Sequence, residues 1–358
     1  MNVLITGGAG FIGSHLAEEL IKRGDKVYVV DDLSTGRIEN LSSLLDNPQF
    51  SFMQGSILNE KLMAESIEKC ELVYHLAAAV GVKYIMENRL NSIQTNVRGT
   101  EIVLELASKA CLRAKRKDKK KVMLASTSEV YGKNGTVPFN EENDSVLGPT
   151  TLHRWSYSCT KMMDEFLALA YFKEKQLPIV IMRFFNTVGP RQLGRYGMVV
   201  PRFIKRALSG APLQVYGDGT QTRCFTYISD VIRAMVELAT VRPAKLCTPP
   251  LGGLGGVMAS VTSCSNAVGE VFNIGSEEEI SIKDLAKKII KLTGSSSEIK
   301  YIPYEKAYGE GFEDMKRRVP DISKIKRFIG WQPEVSLDEL LKQVIVYERE
   351  QLDNVLLF

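Results

Sequence analysis

The chain opens on NVLITGGAGFIG, in which a short apolar strand at residues 2–6 runs directly into Gly7-x-x-Gly10-x-x-Gly13 and then into a helical pattern. The next apolar strand closes on Asp31 and Asp32. Each residue type has a physical reason. Gly7 permits a tight turn, Gly10 lets the backbone approach a pyrophosphate, and Gly13 lets the helix pack on the strand, so that the first helical N–H groups face the anion. A carboxylate ending the second strand accepts hydrogen bonds from an adenosine ribose and repels a 2′-phosphate, which favours NAD over NADP. Strand, glycines, helix and acid in this order predict a dinucleotide pocket.

Short apolar strands alternate with longer helical patterns through the first half of the chain, at 3–6, 26–31, 50–54, 72–76, 122–126 and 178–183. Such alternation implies right-handed parallel crossovers, and hence an α/β fold built on a doubly wound parallel Rossmann sheet with the cofactor across the carboxyl ends of its strands. After Arg183 the alternation gives way to short Gly- and Pro-containing motifs at 186–191, 215–223 and 317–321. Residues 1–185 are therefore expected to form the NAD-binding domain, and 186–358 mainly a smaller, interleaved substrate-binding region. A further strand at 270–274 is expected to return to the sheet. Residues 242–268 are rich in Gly, Pro, Ser and Thr and lack periodicity, which predicts a mobile surface insertion and leaves open a lid over the site. There is no internal repeat.

With 358 residues, 44% of them hydrophobic, the chain can bury a large core. Lys and Arg number 46 against 42 Asp and Glu, a formal charge of +4. The one basic run, 113–121, lies where a helix hands over to a strand and is expected to be a solvated loop, so no nucleic-acid partner is expected. No apolar stretch approaches the roughly 18–20 residues of a membrane span, and no leader is evident, which points to a cytoplasmic protein. Six cysteines without C-x-x-C spacing and three histidines suggest neither a metal site nor a disulfide framework. His15 and His75 are expected to be structural.

Tyr157 and Lys161 stand four apart, early in a helical pattern running through 162–173, which brings both side chains to one face. A cation beside a phenol stabilises the phenolate. Tyr157 could then act as a general base, taking a hydroxyl proton while hydride leaves the same carbon.

Seven stretches carry a resemblance: TGGAGFIG at the start, HLAA at 75–78, STSEVYG at 126–132, SYSCTK at 156–161, RFFNTVGPR at 183–191, YGDGTQTRCFTYISD at 216–230 and RRVPDISKIKRFIGW at 317–331. On them the chain resembles the extended short-chain dehydrogenase/reductases that act as nucleotide-sugar epimerases, dehydratases and decarboxylases. The resemblance implies NAD as cofactor, a UDP-sugar as substrate, and a homodimer through helices near 93–112 and 157–174. It makes Tyr157 the base, Lys161 a holder of the nicotinamide ribose, and Thr127 a hydroxyl at the sugar's 4-oxygen. Phe11, Ile12, Ser56, Ile57, Leu76 and Ala77 fall at cofactor-lining positions. Asn186, Arg191, Arg223 and Arg318 fall where nucleotide, ribose and diphosphate are gripped, a role suited to guanidinium groups. In place of the family's Gly-Asp-Ile near adenine, this chain has Gly55-Ser56-Ile57.

The residues after Thr127 bear on the reaction. Simple 4-epimerases carry small residues there, and 4,6-dehydratases resemble Thr-Asp-Glu. Thr127-Ser128-Glu129 resembles the UDP-glucuronate decarboxylases instead. Oxidation at C4 would place the C5 carboxylate β to a ketone and allow carbon dioxide to leave, giving UDP-xylose. Glu129 would position the acid end of the sugar and Arg223 would bind nearby anionic groups. Arg154 and the segment 195–198 depart from the best-matched decarboxylases and keep UDP-glucuronate 4-epimerase open, with a 4,6-dehydratase third. An NAD-sensing regulator would keep the glycines and lose the Tyr157–Lys161 pair.

Overall fold

A computed structural model describes residues 1–113, 120–194, 198–241, 267–308 and 313–356. The first half lays down β1 (Asn2–Thr6), α1 (Phe11–Lys22), β2 (Lys26–Asp31), β3 (Phe50–Gln54), α2 (Glu60–Glu68), β4 (Leu72–His75), α3 (Val82–Glu87), α4 (Arg89–Arg113), β5 (Lys121–Thr127), α5 (Ser156–Lys175) and β6 (Ile179–Phe184). The second half adds β7 (Thr187–Val188), α6 (Val199–Leu208), β8 (Leu213–Tyr216), β9 (Thr222–Cys224), β10 (Thr226–Tyr227) and α7 (Ile228–Thr240). It ends with β11 (Val271–Ile274), β12 (Glu279–Ser281), α8 (Ile282–Thr293), β13 (Ile299–Ile302), α9 (Tyr304–Tyr308), α10 (Ser323–Ile329) and α11 (Leu337–Leu356).

Seven strands form one sheet in the order β11-β6-β5-β4-β1-β2-β3. Every pairing in it is parallel. The order reverses between β1 and β4, and there the Gly7 turn opens, as expected at the switch point of a doubly wound sheet. The strands are Val- and Ile-rich because both faces are covered. Val3, Ile5, Val27 and Val29 pack under Leu16 and Leu20 of α1 and Met235 and Leu238 of α7. Leu4, Val30, Val73 and Leu124 face the other way, under Ile67 of α2, Val103 and Ala107 of α4 and Ala168 of α5.

Strand β11 is the return to the sheet expected at 270–274, paired with β6. Before β11 and again after it the chain leaves the sheet to build the smaller layer. There β8 pairs with β13, and Phe203 and Ile204 of α6, Leu285 and Ile289 of α8 and Leu341 of α11 make an apolar core continuous with the first. Trp331, fully buried, donates its indole N–H to the Asp230 carbonyl and pins the segment after α10 to α7.

The basic run behaves differently from expectation where it is described. Lys120 is buried, and its Nζ donates to the carbonyls of Ile67 at 2.8 Å, Glu68 at 3.2 Å and Cys70 at 2.8 Å, satisfying the orphaned end of α2. Lys121 Nζ reaches the Ala239 carbonyl at 2.8 Å. These two lysines tie elements together instead of facing solvent; 114–119 lie outside the described residues. The same holds for 242–266, most of the insertion, and with it the possible lid.

His75 is structural, its ring nitrogens 2.8 Å from Thr6 Oγ1 and 3.1 Å from Thr100 Oγ1. Among the described residues no helix is long and apolar enough to cross a membrane.

Candidate active site

One large cavity runs along the carboxyl ends of the sheet strands, from the glycine turn to the segment 314–318. At its first end Gly7 has φ +74°, and a Cβ there would lie 2.8 Å from the Ala77 nitrogen. A Cβ on Gly13 would stand 2.4 Å from the Gly7 carbonyl oxygen, so only glycine lets α1 start this close to β1. Asp31, buried at the end of β2, accepts from the Ala9 N–H at 2.9 Å through Oδ2 and from the Leu33 N–H at 2.8 Å through Oδ1. Burial pushes its carboxyl above the ordinary range, and those two N–H groups pull it back. Asp32 is exposed and accepts from the Ser34 N–H. Phe11, Ile12, Ser56, Ile57, Leu76 and Ala77 line the same end of the cavity. This end fits a dinucleotide, because the turn is stripped of side chains where a pyrophosphate approaches and an acid stands where a ribose would lie.

Further along, α5 begins one residue before Tyr157 and carries Lys161 a turn later, both lining the cavity. Thr127, the last residue of β5, hydrogen-bonds the Tyr157 hydroxyl and caps the following turn by accepting from the Glu129 N–H at 3.2 Å. The phenol stands above its ordinary range and is not lowered as the spacing alone suggests. Burial pushes the phenol well up, the charges of Glu129 and Asp164 push it further, and Thr127 and Arg318 oppose them. Lys161 Nζ is already engaged by Asp164 Oδ2 at 2.8 Å, and Asp164 is fully buried.

Beyond Tyr157 lies a cluster of charge. Glu129 meets Arg154 at 2.6 Å through Oε2 and Arg318 at 2.9 Å through Oε1, with about a tenth of each side chain or less exposed. Burial alone would raise the Glu129 carboxyl, but Arg154 and Arg318, with a contribution from Arg223, hold it down at about 2. It is therefore a fixed anion at any working pH. Arg223 is gripped by both oxygens of Asp314 at 2.8 Å. Ser128 is buried, its hydroxyl 3.5 Å from Arg318 Nη1. Three arginines and two carboxylates thus converge from the turn after β5, the turn before α5, β9 and the 314–318 strap.

Asn186 and Arg191 also line the cavity, away from the arginine cluster. Asn186, at φ +29°, donates to the Cys224 carbonyl at 2.8 Å. Arg191 lines the cavity but turns to α1, donating to Glu18 at 2.7 Å and Ser14 at 3.2 Å, away from Arg223 and Arg318. Sequence reasoning missed Asp314 and Asp164, and it counted Arg154 only as a departure. The position of Arg154, three residues before Tyr157 and so carried into the site with it, was the available signal.

A second, buried network stands behind the site. Arg183 grips Glu165 through two nitrogens at 2.7 and 2.9 Å, and Ser126 Oγ donates to the same carboxylate at 2.5 Å. Arg183 also donates to Tyr131, which donates in turn to Asn273 of β11. The helix bearing Tyr157 and Lys161 is thereby locked to β5, β6 and β11.

A dinucleotide turn at the switch point, with a tyrosine and lysine one helical turn apart on the cavity wall and an arginine cluster beyond, defines a nucleotide-sugar enzyme of the short-chain dehydrogenase/reductase class. The chain belongs to the GDP-mannose 4,6 dehydratase family, which residues 4–248 match. It is 44% identical to a UDP-N-acetyl-α-D-glucosaminuronate decarboxylase of Bacillus cytotoxicus, over 97% of each chain. It is 34% identical to UDP-glucuronic acid decarboxylase 1 of Xenopus tropicalis, over 98% of this chain and 73% of that one. Among solved structures it resembles a UDP-glucuronic acid 4-epimerase of Bacillus cereus bound to UDP-glucuronic acid and NAD. That match has a TM-score of 0.80 and 32% identity, over 98% of this chain and 100% of the other.

Proposed function

We propose that the protein is an NAD-dependent decarboxylase of a UDP-hexuronate, working through a 4-keto sugar. The observation that carries this reading is Glu129, an anion clamped by Arg154 and Arg318 beside Tyr157, with Ser128 where a dehydratase would need an acid. NAD, when bound, supplies the acceptor and later the donor of the C4 hydride. Gly7, Gly10 and Gly13 would approach its pyrophosphate, Asp31 the adenosine ribose and Lys161 the nicotinamide ribose.

Tyr157 would take the proton of the sugar's 4-hydroxyl. With C4 a ketone, the bond from C5 to its carboxylate can break, its electron pair passing onto the C4 oxygen as carbon dioxide leaves. Thr127 and Tyr157 are aligned to hydrogen-bond that oxygen as its charge develops. Glu129, its charge met by Arg154 and Arg318, would hold those guanidinium groups at the sugar's acid end and so set the position of its carboxylate. The enolate takes a proton from water at C5, which restores the C4 ketone, and Tyr157 then returns its own proton to O4 as C4 is reduced and the cycle closes.

Arg154, whose departure from the best-matched decarboxylases kept the 4-epimerase open, holds Glu129 and so fits this reading too. The sugar is UDP-glucuronate, giving UDP-xylose, or its 2-acetamido analogue, which the bacterial relative at 44% identity favours. Incubation of each with enzyme and NAD, read by mass spectrometry, tests the reading. Loss of carbon dioxide supports it, whereas a nucleotide sugar of unchanged mass and inverted C4 establishes the 4-epimerase instead.

The domain reading of 1–185 for NAD and 186–358 mainly for the sugar nucleotide goes with this function, as does a cytoplasmic location. A homodimer is supported by Leu90 and Ile93 of α4 and Met163 and Phe166 of α5, large apolar residues left exposed on neighbouring helices. Sedimentation of the purified chain at monomer mass would refute it.

A further inference from the structure

We propose that Asp164 is a positioning residue that holds the Lys161 ammonium and cancels part of its charge at the Tyr157 phenol. The inference rests on the reading of Tyr157 as the proton acceptor. Lys161 stands between two groups of opposite demand on one stripe of α5: Tyr157 four residues before it and Asp164 three residues after it. The ion pair at 2.8 Å is closed to water, with side-chain exposures of 4% for Lys161 and 0% for Asp164.

An isolated buried pair of this kind brings little net stability, because desolvating both charges offsets most of their attraction. Its main consequence falls on the neighbours. An ammonium alone at this position would act on the phenol as an unbalanced positive charge in a poorly screened interior. Asp164 leaves Tyr157 facing a nearly neutral pair and fixes one of the three Lys161 N–H bonds, so the remaining two are directed elsewhere.

The other groups around the pair do not take over this role. Thr100 of α4 hydrogen-bonds Asp164, and Glu165 adds a like charge, itself neutralised by Arg183. His75 of β4 is kept neutral by burial and by the Lys161 charge. On the far side of Tyr157, Glu129 is balanced by Arg154 and Arg318. Asp164 is thus the carboxylate whose removal most directly exposes the phenol to Lys161.

The test is a direct titration of Tyr157 in the NAD-loaded protein, by phenolate ultraviolet absorbance, taking the difference between each protein and its Tyr157→Phe counterpart. We expect Asp164→Asn to move the midpoint to lower pH by about one unit, a roughly tenfold rise in the phenol's ionisation constant. Asp164→Glu, which keeps the charge, should stay near the wild-type midpoint. Asp164→Ser serves as the second neutral variant if the asparagine protein does not fold. A midpoint that is unmoved, that moves upward, or that is absent from both proteins overturns the proposal. No sugar takes part in this titration, so failure to decarboxylate a UDP-hexuronate with the shift present counts against the proposed reaction alone.

Discussion

The guanidinium of Arg154 meets Glu129 at 2.6 Å, and neither side chain has more than 12% of its surface open to water. The pair joins the turn after β5 to the turn before α5, so the acid and Tyr157 are set at a fixed separation by the same stretch of chain. Arg154→Met should therefore slow decarboxylation by about ten- to a hundredfold while leaving reduction of NAD by substrate measurable, since Tyr157 and Lys161 remain. Reduced nicotinamide would accumulate in single turnovers, and Arg154→Lys should recover part of the rate, though not all, because an ammonium lacks the guanidinium fork. Equal loss of both steps would remove Arg154 from any selective part in the second.

Glu129→Gln removes the anion at nearly constant volume. Binding of NAD should be unchanged and carbon dioxide release should fall at least a hundredfold, about 3 kcal/mol of transition-state stabilisation. Unchanged turnover would take Glu129 out of the mechanism.

The same residue sets an acid dependence of stability. Glu129 has its carboxyl lowered from the ordinary 4.5 to about 2 in the folded chain. Its ionised form therefore stabilises the fold above pH 4.5, and that share is lost as the pH falls from 4.5 towards 2. Urea midpoints at pH 7 and pH 3 should differ less in Glu129→Gln than in wild type, with the variant weaker at pH 7. A wider gap in the variant would contradict the charge assignment.

Tyr157→Phe should retain NAD affinity and lose hydride transfer from the sugar, read as the absence of reduced-nicotinamide absorbance on mixing with UDP-glucuronate or its 2-acetamido analogue. Normal reduction by either sugar would assign the proton to another group.

Behind the site, Arg183→Met leaves the Glu165 carboxylate buried with its guanidinium gone. Stranding one partner of such a pair costs about 3–5 kcal/mol, so thermal unfolding should drop by several degrees or more, with a further loss of activity as α5 loosens against β6. Replacing both Arg183 and Glu165 with apolar residues should cost less than the single change, a comparison that calorimetry of the three proteins settles.

How much of this was legible in the sequence depends on the range over which each signal acts. The strands were, because each is a short apolar run between turn signals: the Val-rich 26–31 coincides with β2, and the aromatic-containing 50–54 with the edge strand β3. Thr127, Tyr157 and Lys161 were legible because one strand end and one helical turn carry them. Asp314 was not, since nothing local marks a carboxylate whose partner, Arg223, arrives from another strand. Lys120 misled for the same reason. In a run of basic residues it reads as solvated, and only the end of α2, folded back beside it, supplies the three carbonyls that bury it.

The return of β11 to the outer edge of the sheet has a consequence for dissection and engineering. Cutting the chain near 185 would strip β6 of its outer neighbour, leaving four consecutive residues, 181–184, with their ladder unmatched on one side and an apolar edge open to other molecules. The smaller layer is built from chain on both sides of β11, interleaved with the sheet and not appended to it. Grafting a different specificity onto this scaffold calls for keeping the closing strand and exchanging segments on both sides of it, since Arg223 precedes β11 while Asp314 and Arg318 follow it; a truncation that loses β11 should yield aggregates in place of a new enzyme.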